Sequence, residues 1–534
     1  MDENIRCRIN LGLLDRVGWY GLEKEFFDVL VVGSGVAGLR TAIEILNRKD
    51  VSLAIITKDS RESNSKYAQG GIAVALGERD NARLHVRDTM NVGAGLCDVR
   101  TVNIVVKEAP ERVKELVGWG CTFDKSNRNF DFGLESAHSV ARIVHYKDKT
   151  GDVLCDVLKK KVSERSPVWF DGCFCVDFLL NRGFVGVLVL DKHEELKLLL
   201  AKACVLASGG VGQIYSNTTN PLGSTGDGIA MGYRAGALLR GMEFVQFHPT
   251  ALSAETVGGR CFLISESVRG AGAFLVNSVG ERFMGKYSRN KDLATRDVVS
   301  RAIWNEMLGG RSVFLDMRLL DGSFVRRRFP TIVKECERNG IDVSVDLLPI
   351  VPAAHYLVGG IKTDLFGRCN IGGIFVVGEA ASTGLHGANR LASNSLAEAL
   401  VFGRRCGVGV LRYIEKNEQK KPAPPKGRRV RPRGFFGGVS KIKNKIQESC
   451  WGGLGILRSR QSITDGLLML KSVEGELGTT LFLSREYFEA VNMLTVAKLV
   501  GVAAMKRKES RGAHYRSDYP KKIDSWRKNI NITR

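Results

Sequence analysis

Near the start of the chain, Val29-Leu30-Val31-Val32-Gly33-Ser34-Gly35-Val36-Ala37-Gly38 joins an apolar run of strand length to a Gly-x-Gly-x-x-Gly turn. Leu39 to Leu46 then carries a helical pattern. In that setting each glycine has its own task. Gly33 permits a tight turn, Gly35 lets the backbone approach a pyrophosphate, and Gly38 lets the helix pack close to the strand. Ser34 and Ala37 keep the intervening positions small. The phosphates would sit on the helix N-terminus, where unpaired N–H groups and the dipole favour negative charge. A glycine-rich strand–helix turn with no ligand is the alternative reading of the same residues.

The strand Val51 to Thr57 follows and ends in Lys58. Dinucleotide folds that hold NAD place an acidic residue there, about 20 positions after the glycines. A lysine argues against ordinary NAD recognition and leaves FAD, with Lys58 against the adenosine or a phosphate. Next comes Ser63-Asn64-Ser65-Lys66-Tyr67-Ala68-Gln69-Gly70-Gly71-Ile72. Small polar residues ending in a double glycine permit close backbone approach to a flat ring system.

These residues need a sheet beneath them. Two further apolar strands end in glycine-containing turns: Ala203 to Ala207 before Ser208-Gly209-Gly210, and Gly373 to Val377 before Gly378-Glu379-Ala380. Together with Val29–Val32 they predict one parallel sheet interrupted by insertions. The expected organisation is α/β: an N-terminal arm over 1–24, a Rossmann-like domain in two parts, 25–240 and 351–410, and an inserted α+β capping domain over 241–350. A linker over 411–438 then leads to a C-terminal helical domain over 439–534, carried by helical spacing at Val439–Ile446, Ile463–Val473 and Arg485–Met505. The linker's densest part, Lys416 to Arg433, holds four of the twelve prolines and eight Lys or Arg, a composition that cannot bury a core.

Composition sets outer limits. A chain of 534 residues with 44% hydrophobic and 25% charged residues is a multi-domain globular protein. Its net charge of +22 suits an anionic ligand or an acidic partner. No aromatic–basic interleaving accompanies the charge, so a nucleic-acid partner is not expected. The 12 cysteines contain no Cys-x-x-Cys, so neither a structural zinc nor an iron–sulfur cluster is expected, and no metal. No apolar stretch reads as reaching the ~18 residues that span a bilayer. The expectation is a cytoplasmic protein with free thiols, not associated with a membrane, and a monomer or small homo-oligomer.

The motifs go further. With the glycine fingerprint and the Ser63–Ile72 loop stand Gly226-Asp227-Gly228, Gln246-Phe247-His248-Pro249-Thr250, Thr295-Arg296-Asp297, His355-Tyr356 with Gly359-Gly360-Ile361, and Gly387 to Leu396. In that order, over most of residues 26–405, they resemble the succinate dehydrogenase/fumarate reductase flavoprotein superfamily. The resemblance implies a Rossmann-like FAD-binding domain. In the membrane-bound dehydrogenases of the superfamily a histidine in this loop bonds covalently to FAD. Asn64 stands at that position, which implies FAD held non-covalently. Within the superfamily, Leu134-Glu135-Ser136-Ala137-His138-Ser139, Arg390-Leu391-Ala392-Ser393-Asn394-Ser395 and Glu509 to Tyr515 are similar to segments of the L-aspartate oxidase family. Ser136-Ala137 departs from that family's usual Gly-Gly.

That family likeness implies oxidation of L-aspartate to iminoaspartate with oxygen or fumarate as electron acceptor. It also implies a place as the first step of de novo NAD biosynthesis, the product passing to quinolinate synthase. A C4 dicarboxylate needs two separated donor clusters, and an arginine fork pairs with carboxylate bidentately. Arg390 is the candidate for one end, and His248, His355 and Ser265 for the other, with Glu266 nearby. Glu135 would match the substrate ammonium. Arg296 resembles the residue that passes a proton to carbon when fumarate is reduced. Asp227 and Glu379 resemble FAD contacts, and Ser395 and Leu396 would meet the flavin ring from a helix N-terminus. Lone histidines such as His85 and His138 read as structural, and Glu243 and Asp316 as surface or capping carboxylates. A fumarate reductase or succinate dehydrogenase flavoprotein subunit is the alternative, and a flavin-containing RNA-binding protein a third reading.

Overall fold

Leu30 and Val32 point to one side of the strand Lys24–Val32, Val29 and Val31 to the other, and all four are buried. A strand with no solvent face needs a packed layer on each side. The computed structural model supplies both, and it describes residues 3–6, 21–254, 259–418, 423, 437–478 and 482–534. On one side, the helices Val36–Ile45, Val99–Gly118 and Asn394–Lys416 share a core with Val29 and Val31. On the other, the helices Val439–Leu454, Arg460–Leu477 and Arg485–Lys506 share a core with Leu30 and Val32.

Lys24–Val32 lies inside a seven-stranded sheet, between Leu53–Thr57 and Leu196–Leu206. The predicted parallel partnership is present: Leu196–Leu206 pairs in parallel with Lys24–Val32 and, through Cys204 to Leu206, with Ile374–Val376. The sheet is mixed, however. Two strands the sequence reading passed over, Phe174–Leu180 and Phe184–Leu190, extend it antiparallel. Their turn at Asn181-Arg182-Gly183 uses two left-handed residues, Arg182 (φ 52°) and Gly183 (φ 140°).

The cap is a four-stranded antiparallel sheet in the order Val245–Leu252, Leu348–Leu357, Val313–Asp316, Phe274–Asn277. The strand Leu348–Leu357 crosses the boundary drawn at 350. Pro349 and Pro352 both sit within this strand.

Three more expectations are corrected. The arm holds a strand, Glu3–Arg6, paired in parallel with Ile530–Thr533, so the C-terminal region ends in a strand of a five-stranded sheet and is not wholly helical. Residues 7–20 of the arm and residues 419–422 and 424–436 of the basic linker lie outside the described residues; the linker's first part is the end of the helix Asn394–Lys416. The 22-residue helix Arg485–Lys506 has a mean hydropathy of 1.5 and is long and apolar enough to cross a membrane. It is apolar nearly all round because it is a core helix, mostly buried against its neighbours.

Candidate active site

Between the main sheet and the cap lies a cavity of about 600 Å³, within the range of small-molecule sites. Every candidate residue named above lines it except Gly38. Gly38 sits beneath, where a Cβ would stand 2.1 Å from the Gly33 carbonyl oxygen, so its role is helix–strand packing. Gly33 itself is left-handed (φ 111°), and a Cβ there would meet the Ala207 oxygen at 2.2 Å.

One end of the cavity is built for phosphate and sugar. The helix Val36–Ile45 starts at Gly35 with no capping side chain of its own; the Val36 N–H donates to Ser65 Oγ at 3.2 Å. Ser34 and Thr57 hydroxyls lie 2.9 Å apart. Ser208 Oγ is buried in the wall with no partner among the described residues. Glu379 accepts from the Leu357 N–H at 2.8 Å and from Asn64 Nδ2 at 3.4 Å. Burial pushes this carboxyl up to about 7, against the pull of Leu357 N–H, Arg390 and Asn64.

Lys58 lines the cavity, as expected of a cofactor contact. Its ammonium donates to Asp227 Oδ2 (2.8 Å), Glu489 Oε1 (2.9 Å) and Thr225 Oγ1 (2.9 Å), so its charge is engaged by carboxylates and not left open for a phosphate. Burial disfavours the charged lysine, but Asp227 and Glu489 outweigh it and raise its pKa. Glu489 comes from the C-terminal helix Arg485–Lys506 and was not foreseen. Its sequence signal is an acid beside the apolar run of a helix, a residue type that is buried only when paired. Gln69 also plays a different part: it donates to the Leu263 carbonyl (2.6 Å) and accepts from the Ser265 N–H (3.0 Å), stitching the loop to the cap.

The other end holds two arginines and two histidines. Gln246 Oε1 accepts from Arg296 Nη1 at 3.1 Å and Arg390 Nε at 3.2 Å, fixing the guanidiniums side by side. Arg390 also donates to Ser395 Oγ (2.5 Å) and lies 4.3 Å from the Tyr356 ring centre. Burial and then Arg296 push Arg390 down to about 10, so it is charged at neutral pH. His248 and His355 stand on paired neighbouring strands with ring centres 5.0 Å apart. Burial and the surrounding arginines hold both well below the usual imidazole range, so both are neutral. The Thr250 N–H donates to His248 Nδ1 at 3.2 Å, which leaves Nε2–H as this ring's donor. Thr219 Oγ1 lies 2.8 Å from His355 Nδ1.

Two buried glutamates share this end with opposite fates. Glu266 is bound by Arg296 Nε (2.6 Å) and Arg269 Nη2 (3.2 Å). Burial alone would raise its pKa; the two arginines reverse that and hold it at about 2. Among the described residues Glu135 makes no ion pair with an arginine. Ser267 Oγ donates to its Oε1 at 2.9 Å and Ser393 Oγ to its Oε2 at 2.6 Å. Burial, with Glu266's charge adding, raises its pKa.

Outside the cavity wall, His138 reaches the Ala392 carbonyl (3.1 Å) and His85 reaches Asn394 Oδ1 (2.8 Å), both bracing the start of the helix Asn394–Lys416. Glu243 is not a surface carboxylate: it is fully buried and accepts from Arg507 Nε at 2.7 Å.

The phosphate end fits a dinucleotide: an uncapped helix N-terminus, glycines that admit close backbone approach, and the unpartnered Ser208 hydroxyl. The arginine end fits a small dicarboxylate. A family model described as FAD binding domain matches residues 28–396, and one described as fumarate reductase flavoprotein C-term matches 443–533. Among solved structures, the FrdA subunit of E. coli quinol fumarate reductase is 30% identical with a TM-score of 0.86, covering 94% of this chain and 93% of that one. Mycobacterium smegmatis Sdh1 is 30% identical with a TM-score of 0.81, covering 96% and 94%. Among curated relatives, the chloroplastic L-aspartate oxidase of Arabidopsis thaliana is 40% identical, covering 93% of this chain and 82% of the relative. The L-aspartate oxidase of Nostoc sp. is 39% identical, covering 94% and 92%. Identity of that level over nearly the whole chain places it: it belongs to the L-aspartate oxidase family of FAD-dependent flavoproteins.

Proposed function

We infer that this chain oxidises L-aspartate to iminoaspartate, with FAD as cofactor and oxygen or fumarate as electron acceptor, at the head of NAD biosynthesis. The product passes to quinolinate synthase. The observation that carries the reading is Glu135. A cavity for a plain dianion has no use for a buried carboxylate that lacks an arginine, whereas a substrate ammonium supplies its counter-charge.

FAD, when bound, supplies the acceptor for the hydride that leaves Cα. Gly33, Gly35 and the start of the helix Val36–Ile45 would hold its pyrophosphate, Glu379 its hydroxyls, and Ser395 and Leu396 its ring. Asn64, occupied with Glu379 and Ser224, holds it without a covalent bond. Arg390 takes one substrate carboxylate in its fork. The neutral His248 and His355 donate to the other, with Ser265 at the start of the helix Glu266–Gly270. In the fumarate-reducing direction Arg296 delivers a proton to carbon, and Glu266, ionised between Arg296 and Arg269, orients the arginine through its Nε.

Steady-state assays with L-aspartate, D-aspartate and succinate, each with oxygen and with fumarate, test the reading. L-Aspartate should be oxidised with either acceptor; oxidation of succinate alone would establish the dicarboxylate dehydrogenase alternative. Glu135→Gln should lower the ratio of aspartate oxidation to fumarate reduction by roughly one to three orders of magnitude, the worth of a desolvated ion pair. Equal losses in both activities would remove Glu135 from substrate selection.

A further inference from the structure

Ser393 sits in a conformation that suits glycine. It opens the 23-residue helix Asn394–Lys416 with φ 59° and ψ 0°, the left-handed region. An L side chain is strained there, its Cβ crowding the following carbonyl. A serine at this position ordinarily repays its place by capping the helix, its oxygen accepting a backbone N–H. Ser393 makes no such bond; its hydroxyl donates to Glu135 Oε2 instead. Strain retained without the usual return points to the side chain's other contact.

The rest of Glu135's surroundings is arranged to the same end. Ser267 holds the second oxygen, and Ser265 donates to Ser267 at 3.3 Å, so a file of hydroxyls runs from the cap to the carboxylate. Gly70 leaves the space open: a Cβ there would stand 2.5 Å from Glu135 Oε1. Ala137, two residues beyond Glu135, is also left-handed at φ 64°.

We propose that Ser393 and Ser267 are positioning residues for selection of an amino-bearing substrate: each fixes one oxygen of Glu135 and presents the carboxylate in a single orientation to the substrate ammonium. A carboxylate offers about four acceptor sites. The two serines use two, on different oxygens, and the remainder face the three N–H donors of an ammonium. The inference rests on the reading of Glu135 as the ammonium's partner.

The test uses the FAD-loaded enzyme with Ser393→Gly, Ser393→Ala, Ser267→Ala and Glu135→Gln. Ser393→Gly relieves the strain and removes the hydroxyl, so a structural role and a positioning role give opposite results. Melting temperature should stay level or rise, while the ratio of aspartate oxidation to fumarate reduction falls by about tenfold or more, the worth of a hydrogen bond to a charged group. The loss should fall mainly on KM for aspartate. Glu135 must be ionised to hold an ammonium, and each hydroxyl donor favours that form. The acid limb of the aspartate profile should therefore move to higher pH in either serine variant, with Glu266, Arg296 and Arg328, the other charges facing Glu135, unchanged. Ser393→Ala and Ser267→Ala should lower the ratio in the same direction. A ratio within twofold of wild type in Ser393→Gly and Ser267→Ala overturns the proposal. If Glu135→Gln still lowers the ratio in that case, the clamp fails and the role of Glu135 stands. An unchanged ratio in Glu135→Gln itself removes both.

Discussion

Replacing Arg390 by leucine isolates the carboxylate anchor. The guanidinium is 5% exposed, stacked over Tyr356 at 4.3 Å, and held by Gln246 and Ser395. Leucine keeps an apolar contact with the tyrosine ring, and Gln246 Oε1 still accepts from Arg296, so no buried acceptor is orphaned there. What is lost is a desolvated, bidentate charge pair with the ligand, about 2–5 kcal/mol. At 1.4 kcal/mol per decade this weakens dicarboxylate affinity by about 30-fold to several thousandfold. Succinate, a substrate analogue without the ammonium, is titrated against the flavin absorbance, which also reports whether FAD stays bound. Arg390→Lys keeps the charge but loses the fork and should fall between wild type and leucine. An unchanged succinate dissociation constant in Arg390→Leu would refute the reasoning, and loss of flavin from the variant would reassign Arg390 to the cofactor.

Three further outcomes are expected. Acid precipitation should release yellow flavin into the supernatant, because Asn64 cannot form a histidyl bond; flavin retained in the pellet refutes non-covalent binding. Arg296→Leu should lower fumarate-dependent turnover by at least about 10²-fold while FAD remains bound, because proton delivery to carbon needs a positioned group; wild-type turnover would place the proton source elsewhere. Glu266 is held at about 2 against an ordinary 4.5, since Arg296 and Arg269 overcome the burial that would raise it. Its stabilisation, on the order of 3 kcal/mol, is therefore present above pH 4.5 and lost as pH falls toward 2. Thermal melts across that window should show a weaker acid dependence in Glu266→Gln, and identical dependence in variant and wild type would refute the linkage.

What the sequence made legible follows the range of the interactions. The strand, glycine turn and helix at Val29–Leu46 are local, and their periodicities and small residues stand side by side in the chain. The antiparallel strands Phe174–Leu180 and Phe184–Leu190 were missed because both are buried on both faces and lack the alternation of a half-exposed strand. The pairing of His248 with His355 depends on strands joined only across the cap sheet, so motif likeness brought the two together where spacing could not. Long-range charge pairs were the least legible. Lys58 with Glu489 and Glu243 with Arg507 join residues 431 and 264 positions apart, and nothing near a buried carboxylate in sequence names its partner. Ser393 lay within a recognised motif, yet its role emerges only from a backbone angle and a hydroxyl direction.

The charges at the arginine end form an incomplete set. Arg296 is balanced by Glu266, but Arg390 has only the more distant carboxylates of Glu379 and Glu266 to support it and is weakened by Arg296 beside it. Glu135 is incomplete in the opposite sense, its charge opposed by burial and by Glu266. A carboxylate placed on Arg390 and an ammonium placed on Glu135 satisfy both at once, and the neutral histidines accept a second carboxylate without adding a charge of their own. L-Aspartate carries those three groups on four carbons. On the proposed reading, succinate supplies the two carboxylates but no counter-charge for the buried Glu135, a penalty of the kind that discriminates by orders of magnitude where added contacts alone do not. On that reading, selectivity for the amino acid over its deaminated analogue resides in Glu135, a buried carboxyl without an ion-pair partner among the described residues whose two oxygens are held by the Ser267 and Ser393 hydroxyls.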